Sequence, residues 1–374
     1  MGHRYPIEEQ KGELQCHPFF VIVSLMKSIQ GKVAIIVINW NGVKFLENCL
    51  TSVMQQTYSY FDVYFVDNGS TDISVQYVTN HFPEAKVIKL ATNTGFAFAN
   101  NVGIQHALKD PEVEYIFTLN NDTKLAHDVL QLSIDIINKQ KHIGAVAPKM
   151  KFFYEPDLID SIGILIHPDG SGVNRGGREE DQGQYDQSEE VFGVCAGAAL
   201  YKRALVEDIL YRGEFFDNSF FAYSEDLDVA WRARLRGWKC FSCPQAVVRH
   251  VHSATSIAHS PFKSYHMNRN RFFVMIKDLP FTFLVKAVLL TPMRYIRLMN
   301  SMRIKQGSSY KLQQKSGKLT PFIIVVKGWG SVIVYLPSLL RKRRHIQKRR
   351  VVSAQETQQW FNTFCASTEQ LIYK

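Results

Sequence analysis

Four apolar runs in the first third of the chain each end in a polar cluster: AIIVINWNG, VYFVDNGST, KVIKLATNTG and YIFTLNNDT. The runs are rich in Val, Ile, Phe and Tyr, and segments with helical spacing separate them. Short buried strands that alternate with helices predict βαβ units in a parallel α/β sheet. Strands are expected at 34–38, 61–67, 87–90, 115–119 and 144–147, and helices at 45–55, 73–82, 96–109 and 127–140. Ligands of such sheets bind beyond the carboxyl ends of the strands. Asn39, Asp67, Asn93 and Asp122 are therefore expected to line one rim.

Further along, residues 168–190 are rich in Gly, Asp, Gln and Glu and read as a mobile surface loop. SEDLDVAWRARLRG, residues 224–237, reads as a helix. Ser224 is placed to cap it, Glu225, Asp226 and Asp228 fill the first turn, Arg232, Arg234 and Arg236 follow, and Gly237 stops it. From Pro280 the pattern becomes apolar with interspersed cations. PFIIVVKGWGSVIVYLPSLL, residues 321–340, carries Lys327 as its one charge and is long enough to span a bilayer. Gly328, Gly330, Pro337 and Lys327 favour an interfacial or re-entrant placement instead.

Charge sharpens this division. The net charge of +10 is the sum of −8 over residues 1–262 and +18 over residues 263–374. A basic cluster, RKRRHIQKRR, directly follows the apolar stretch. That combination fits anionic lipid headgroups and a cytoplasmic, peripheral position on the inner face of the plasma membrane. Nucleic acid is a poorer partner, because the neighbouring residues are aliphatic and no nucleic-acid module is visible. The six cysteines are too scattered for a disulfide framework. Cys240 and Cys243 form a single CxxC, which reads as two thiols in a strand before a zinc site. The short stretch HPFFVIVSLM does not read as a secretion signal, and Met26 is the expected natural start.

Chemistry has several places to sit. Asp122 ends the cluster NND just past a strand, where a carboxylate can hold Mg²⁺ or Mn²⁺ or simply shape a turn. Asp67 in DNGS can accept hydrogen bonds from a base or ribose, or belong to a turn; Trp40 can stack on a base or pack. Glu225 or Asp226 can act as a general base. A helix N-terminus would lower that carboxyl's pKa and keep it ionised. Arg269 and Arg271 in NRNR can grip phosphates or lie on a solvated face, and His250 and His252 follow another apolar run.

Taken in order, VINWNG, VDNGSTD, NTGFAFANNVGI, TLNNDT, CAGAALYKR, FFAYSEDLDVAWRARLRGW and VVRHVHSATS resemble the family 2 glycosyltransferases, particularly the bacterial rhamnosyltransferase-like branch, from residue 33 to about 278. The resemblance implies a GT-A (Rossmann-like) fold: a central mostly parallel sheet with flanking helices, followed here by C-terminal amphipathic, membrane-associating helices. Together with the charge and hydropathy of the C-terminal region, the resemblance gives an expected division into an N-terminal extension (1–31), a GT-A domain (32–262), a helical, basic membrane-associating region (263–345) and a tail (346–374).

It also implies inverting transfer of a sugar from a nucleotide-sugar, dTDP-rhamnose or a UDP-sugar, to a saccharide or lipid-linked acceptor in cell-surface polysaccharide synthesis. By that likeness Asp226 is the catalytic base with Glu225 as second choice. By the same likeness Asp67 and Trp40 hold the nucleoside, and Asp122 and His250 hold a divalent metal; Asn39, Asn93, Gly95, Gly197, Arg269 and Arg271 are further expected substrate contacts. The family's DxD-type motif has Asn120 and Asn121 in its first two positions here. Two other readings stay open. One is a non-catalytic membrane-associated scaffold on a transferase fold. The other is a sugar-1-phosphate nucleotidyltransferase, although NWNGVKF lacks the expected Arg-containing phosphate loop.

Overall fold

The first strand shows how the sheet is covered. A computed structural model describes residues 31–252 and 260–367; the expected start at Met26 and residues 253–256 of VVRHVHSATS lie outside them. In β1 (Lys32–Asn39) every residue from Val33 to Val37 is fully buried. Val33, Ile35 and Val37 join one core cluster, and Ala34 and Ile36 join another. A strand with period-2 side chains that is buried on both faces belongs in the middle of a sheet layered with helices.

The elements follow as α1 (Val43–Met54), β2 (Phe61–Asp67), α2 (Ser74–His81), β3 (Lys86–Lys89), α3 (Phe96–Ala107), β4 (Val113–Asn120), β5 (Thr123–Leu125), α4 (Val129–Ile137) and β6 (Ile143–Phe152). The alternation predicted from the apolar runs is present, and β6 runs well beyond the expected 144–147. Next come β7 (Ile159–Ser161), β8 (Ile164–Ile166), β9 (Gly172–Asn174), β10 (Glu190–Val191), β11 (Ala198–Lys202), α5 (Arg203–Ile209), α6 (Glu225–Leu235) and β12 (Lys239–His250).

The strand order is β3-β2-β1-β4-β11-β6-β12-β10, with β5 also on β12 and β7 on β6. Strands β1 to β4, β6 and β12 run in one direction and β11 runs against them. The fold is thus the expected mixed α/β sheet with flanking helices. Cys240 and Cys243 of β12 enter clusters on opposite faces, which removes the CxxC as a zinc clip.

Two local expectations are corrected. The segment 168–190 holds β9, paired with β8, and is tied down by ion pairs from Lys149 to Asp181 and Asp186. Its polar residues answer one another, so composition alone misread it. Ser224 does not cap α6: its backbone is left-handed, with φ 66°, and its side chain makes no capping bond.

After the sheet come α7 (Pro261–Asp278), α8 (Phe281–Arg303), α9 (Gly307–Ser316), α10 (Thr320–Lys348) and α11 (Ala354–Thr363). The apolar stretch and most of the basic cluster form one helix, α10. A third core cluster joins this region to the sheet body, with Phe220, Leu227 and Trp231 meeting Phe272, Phe273 and Leu339.

Candidate active site

Register puts the polar clusters at one level. Asn39 of β1 pairs with Asp67 of β2, and Ile38 pairs with Asn120 of β4. β11 starts at the same edge: Gly197 accepts a hydrogen bond from the Asn120 amide at 2.9 Å, and a Cβ on Gly197 would come within 3.2 Å of Asn120 Nδ2. His250 ends β12 opposite Thr123.

One half of this rim is a chain of amides around Asp67. Asn39 Nδ2 donates to Asp67 Oδ1 at 3.1 Å and Asn121 Nδ2 donates to Asn39 Oδ1 at 2.6 Å. The Ser70 amide donates to Asp67 Oδ2 at 3.0 Å. Asp67, Asn39 and Asn121 are all buried, whereas Trp40 is 40% exposed beside them and is not a core residue.

Asn93 and Gly95 shape the adjoining loop. Asn93 Oδ1 accepts from Asn68 Nδ2 and from the Gly95 amide. Gly95 has φ +87°, and a Cβ there would lie 2.6 Å from Phe221, so both backbone angle and space require glycine.

The other half carries charge. His250 Nε2 lies 3.2 Å from Asp122 Oδ1, and its Nδ1 lies 2.6 Å from Asp160 Oδ2. His252 Nδ1 reaches the other Asp160 oxygen at 3.2 Å. Burial pulls the His250 pKa down, but Asp122 and Asp160 outweigh it and raise it to about 10. Burial works against ionised Asp160, yet the two histidines hold its carboxyl well below the usual range.

Asp160 was not expected in the site and carried no motif; His252 was noted beside His250 but given no role. Carboxylate oxygen and imidazole nitrogen together suit a divalent ion such as Mn²⁺. Asp122 and His250 Nε2 would hold it, with Asp160 on the far nitrogen fixing the ring, the arrangement usual behind ligating histidines. An Asp160–His250–His252 group, with one ligand atom from each lying within 4.8 Å of the others, is an alternative seat on the same histidine.

Asp226 and Glu225 begin α6 across from Gly197. Asp226 accepts from the Leu227 amide at 2.8 Å and is held by the Ala196 amide, one residue from Gly197. The Cys195 thiol, raised first by burial, also feels Asp226 and Asp160, so both carboxylates approach the same residue. Burial raises the Asp226 pKa to about 6, against the lowering expected from the helix terminus; desolvation exceeds the pull of the backbone amides that hold the carboxylate. Glu225 is buried with Oε2 unpartnered, and burial followed by the Asp226 charge pushes its pKa well up. Asp226 keeps partial exposure. Of the two, Asp226 is the carboxyl that ionises near neutral pH and can be reached.

The loop before α6 is strained. Phe221, Tyr223 and Ser224 all have positive φ, and the Ala222 amide donates to the Phe220 carbonyl in a tight γ-turn. Asn270 holds that loop, its Nδ2 donating to the carbonyls of Phe220, Ala222 and Tyr223.

Arg269 and Arg271 are neither free phosphate grips nor solvated. Both are buried: Arg269 donates to the Ser219 and Phe220 carbonyls and Arg271 to that of Asp169. Among the described residues, Lys263 is a cation on that side, 5.4 Å over the Tyr223 ring and within the field of Asp160.

The model described as "Glycosyl transferase family 2" matches residues 34–210. A Haemophilus influenzae protein named as an uncharacterized glycosyltransferase is 31% identical over 114 residues, 30% of this chain and 44% of that protein. The Mycobacterium tuberculosis N-acetylglucosaminyl-diphospho-decaprenol L-rhamnosyltransferase is 22% identical over 280 residues, 65% of this chain and 83% of its own. Among solved structures, GalNAc-T7 with UDP, GalNAc and Mn²⁺ superposes with a TM-score of 0.53 at 13% identity, over 66% of this chain and 47% of that one. That last likeness is one of fold. Residues 34–210 of the chain thus carry the sequence pattern of glycosyl transferase family 2.

Proposed function

We propose that the chain is an inverting, metal-dependent glycosyltransferase of cell-surface polysaccharide synthesis. In this reading it moves a sugar, rhamnose from dTDP-rhamnose in the first place and a UDP-linked sugar in the second, to a saccharide or lipid-linked acceptor. The choice of sugar and pathway is supported by the mycobacterial relative. The observation that supports the reading is that Asp67 and the Asp122–His250 pair lie at the ends of one sheet's strands, while the Asp226 carboxyl is held by the Ala196 amide, just before β11 at that edge.

In this reading Asp67, braced by Asn39, accepts hydrogen bonds from the nucleoside while the exposed Trp40 ring covers the base. A divalent ion on Asp122 and His250 would supply charge neutralisation for the departing diphosphate. Lys263 adds a second positive charge on that side, in the role first expected of Arg269 and Arg271. Asp226 takes the proton of the acceptor hydroxyl as that oxygen attacks the anomeric carbon opposite the diphosphate. Attack from that side inverts the centre. Glu225, kept neutral by burial, does not compete for the proton.

A panel of nucleotide-sugars with Mn²⁺ or Mg²⁺ tests this. One member should yield nucleoside diphosphate and a product of inverted anomeric configuration by NMR. Absence of release from every donor, or a retained configuration, would overturn it; pyrophosphate release would favour the nucleotidyltransferase.

A further inference from the structure

Helix α10 is apolar on two sides, and the protein covers one of them. Its inner side lies along α7. Trp329 and Tyr335 meet Phe272 and Phe273, and Tyr265 Oη lies 2.6 Å from Ser331 Oγ. Gln347 Nε2 donates to the Asp278 carbonyl at 2.8 Å, and Arg343 Nη1 donates to that of Leu279 at 2.7 Å. Gly328 lets the helices close: a Cβ there would fall 2.6 Å from Asn268 Nδ2.

The outer side carries Phe322, Val326, Ile333, Leu336 and Leu340, all exposed and spaced by three, four or seven residues, which keeps them on one face. Ile333 is 70% and Val334 76% exposed. α8 carries a second such row, with Phe281, Val288, Leu289 and Ile296. Apolar surface of this extent is an interaction site.

Charge says with what. From residue 279 to 355 the chain has 16 Lys and Arg and no Asp or Glu. We propose that the outer face of α10 docks on an anionic lipid bilayer, with the helix lying in the plane of the interface. Apolar side chains enter the acyl boundary while Lys318, Lys327, Arg341 and Arg344 meet headgroups.

The helix is long enough to cross a membrane. Crossing would carry α7 into hydrocarbon with it, and α7 holds the buried Lys277 and Asp278. Charges at that depth are costly. A second copy of the chain would oppose two acid-free cationic faces, which repel. Nucleic acid has no use for an exposed aliphatic row.

The same α7 carries Asn270, the support of the Phe220–Tyr223 carbonyls. The docked helix and the catalytic loop therefore share one rigid support, which sets the crevice at a fixed height above the lipid and suits an acceptor anchored there. The docking itself does not depend on the donor assignment.

Flotation of the full chain with vesicles tests it. The chain should float with phosphatidylglycerol-containing vesicles and not with pure phosphatidylcholine, and high salt should release it. Ile333→Glu with Val334→Glu should lower vesicle partitioning about tenfold or more while leaving the unfolding temperature unchanged, because both side chains already face out. Equal flotation of the double variant, or no flotation of the wild type, would overturn the proposal. So would resistance of the native membrane-bound chain to alkaline carbonate, which marks a spanning helix. A dimer or a duplex-DNA complex lost in that variant, without vesicle binding by the wild type, would overturn it in favour of those occupants.

Discussion

The two halves of the rim are built differently. Around Asp67, neutral amides and a backbone N–H satisfy the carboxylate in place, as in Asn121 to Asn39 to Asp67. Around Asp122, Asp160 and Asp226, charge sits where water is scarce, and the pKa values move: His250 up to about 10, Asp226 up to about 6. In the proposed reading the first half recognises a ligand through these fixed hydrogen bonds. The second holds charge imbalance that a metal, a diphosphate and a proton would relieve, which is where chemistry is expected.

That contrast can be broken at named residues. The largest effect should come from Asp226→Asn, which lowers turnover about 10²–10⁴-fold and leaves donor affinity by calorimetry nearly unchanged. In the wild type, turnover should rise tenfold per pH unit below about 6 and level off above it, because the base works deprotonated and burial has raised its pKa. A variant that turns over normally, or activity that falls as pH rises through this range, would remove Asp226 from the role.

Next is Asp160→Asn, which takes the carboxylate from behind His250. Mn²⁺ affinity should drop about 10–100-fold by titration calorimetry. Smaller again is Asn39→Ala, on the recognition side. It leaves Asn121 Nδ2 and Asp67 Oδ1 each short of a partner, and should cost about 1–3 kcal/mol of stability in denaturant unfolding, with a weakened nucleoside diphosphate. The smallest effect is expected from Glu225→Gln, since a neutral side chain replaces a group already held neutral. A turnover loss as large as that of Asp226→Asn would reverse the two assignments.

The alternation of apolar runs made the sheet legible, because a strand buried on both faces must be continuously hydrophobic. Residues 61–67 were read as a strand with the bounds that β2 has. The rim followed from that, since chain direction alone sends Asn39, Asp67 and Asn120 to one edge. What local pattern could not show was tertiary.

Asp160 belongs to a short strand whose neighbours give no chemical signal, and the pairing of β7 with β6 and of β6 with β12 brings it near His250. Lys263 is one more lysine until α7 folds against the loop at Tyr223. Arg269 and Arg271 looked like phosphate ligands because Arg is suited to that work, but backbone carbonyls claim such donors equally well: Ser219 and Phe220 of the irregular 217–224 loop take Arg269, and Asp169 takes Arg271. The sign of the Asp226 shift was missed because helix position is visible in sequence and burial is not.

The account stands or falls on the rim as a single site, and a crystal structure with Mn²⁺ and a bound nucleoside diphosphate tests that most directly. It predicts the nucleoside against Asp67 and Trp40, the metal on Asp122 and His250, and the Asp226 carboxylate facing the space beyond the second phosphate. A nucleotide bound elsewhere, or Asp226 turned away from the diphosphate, would contradict it.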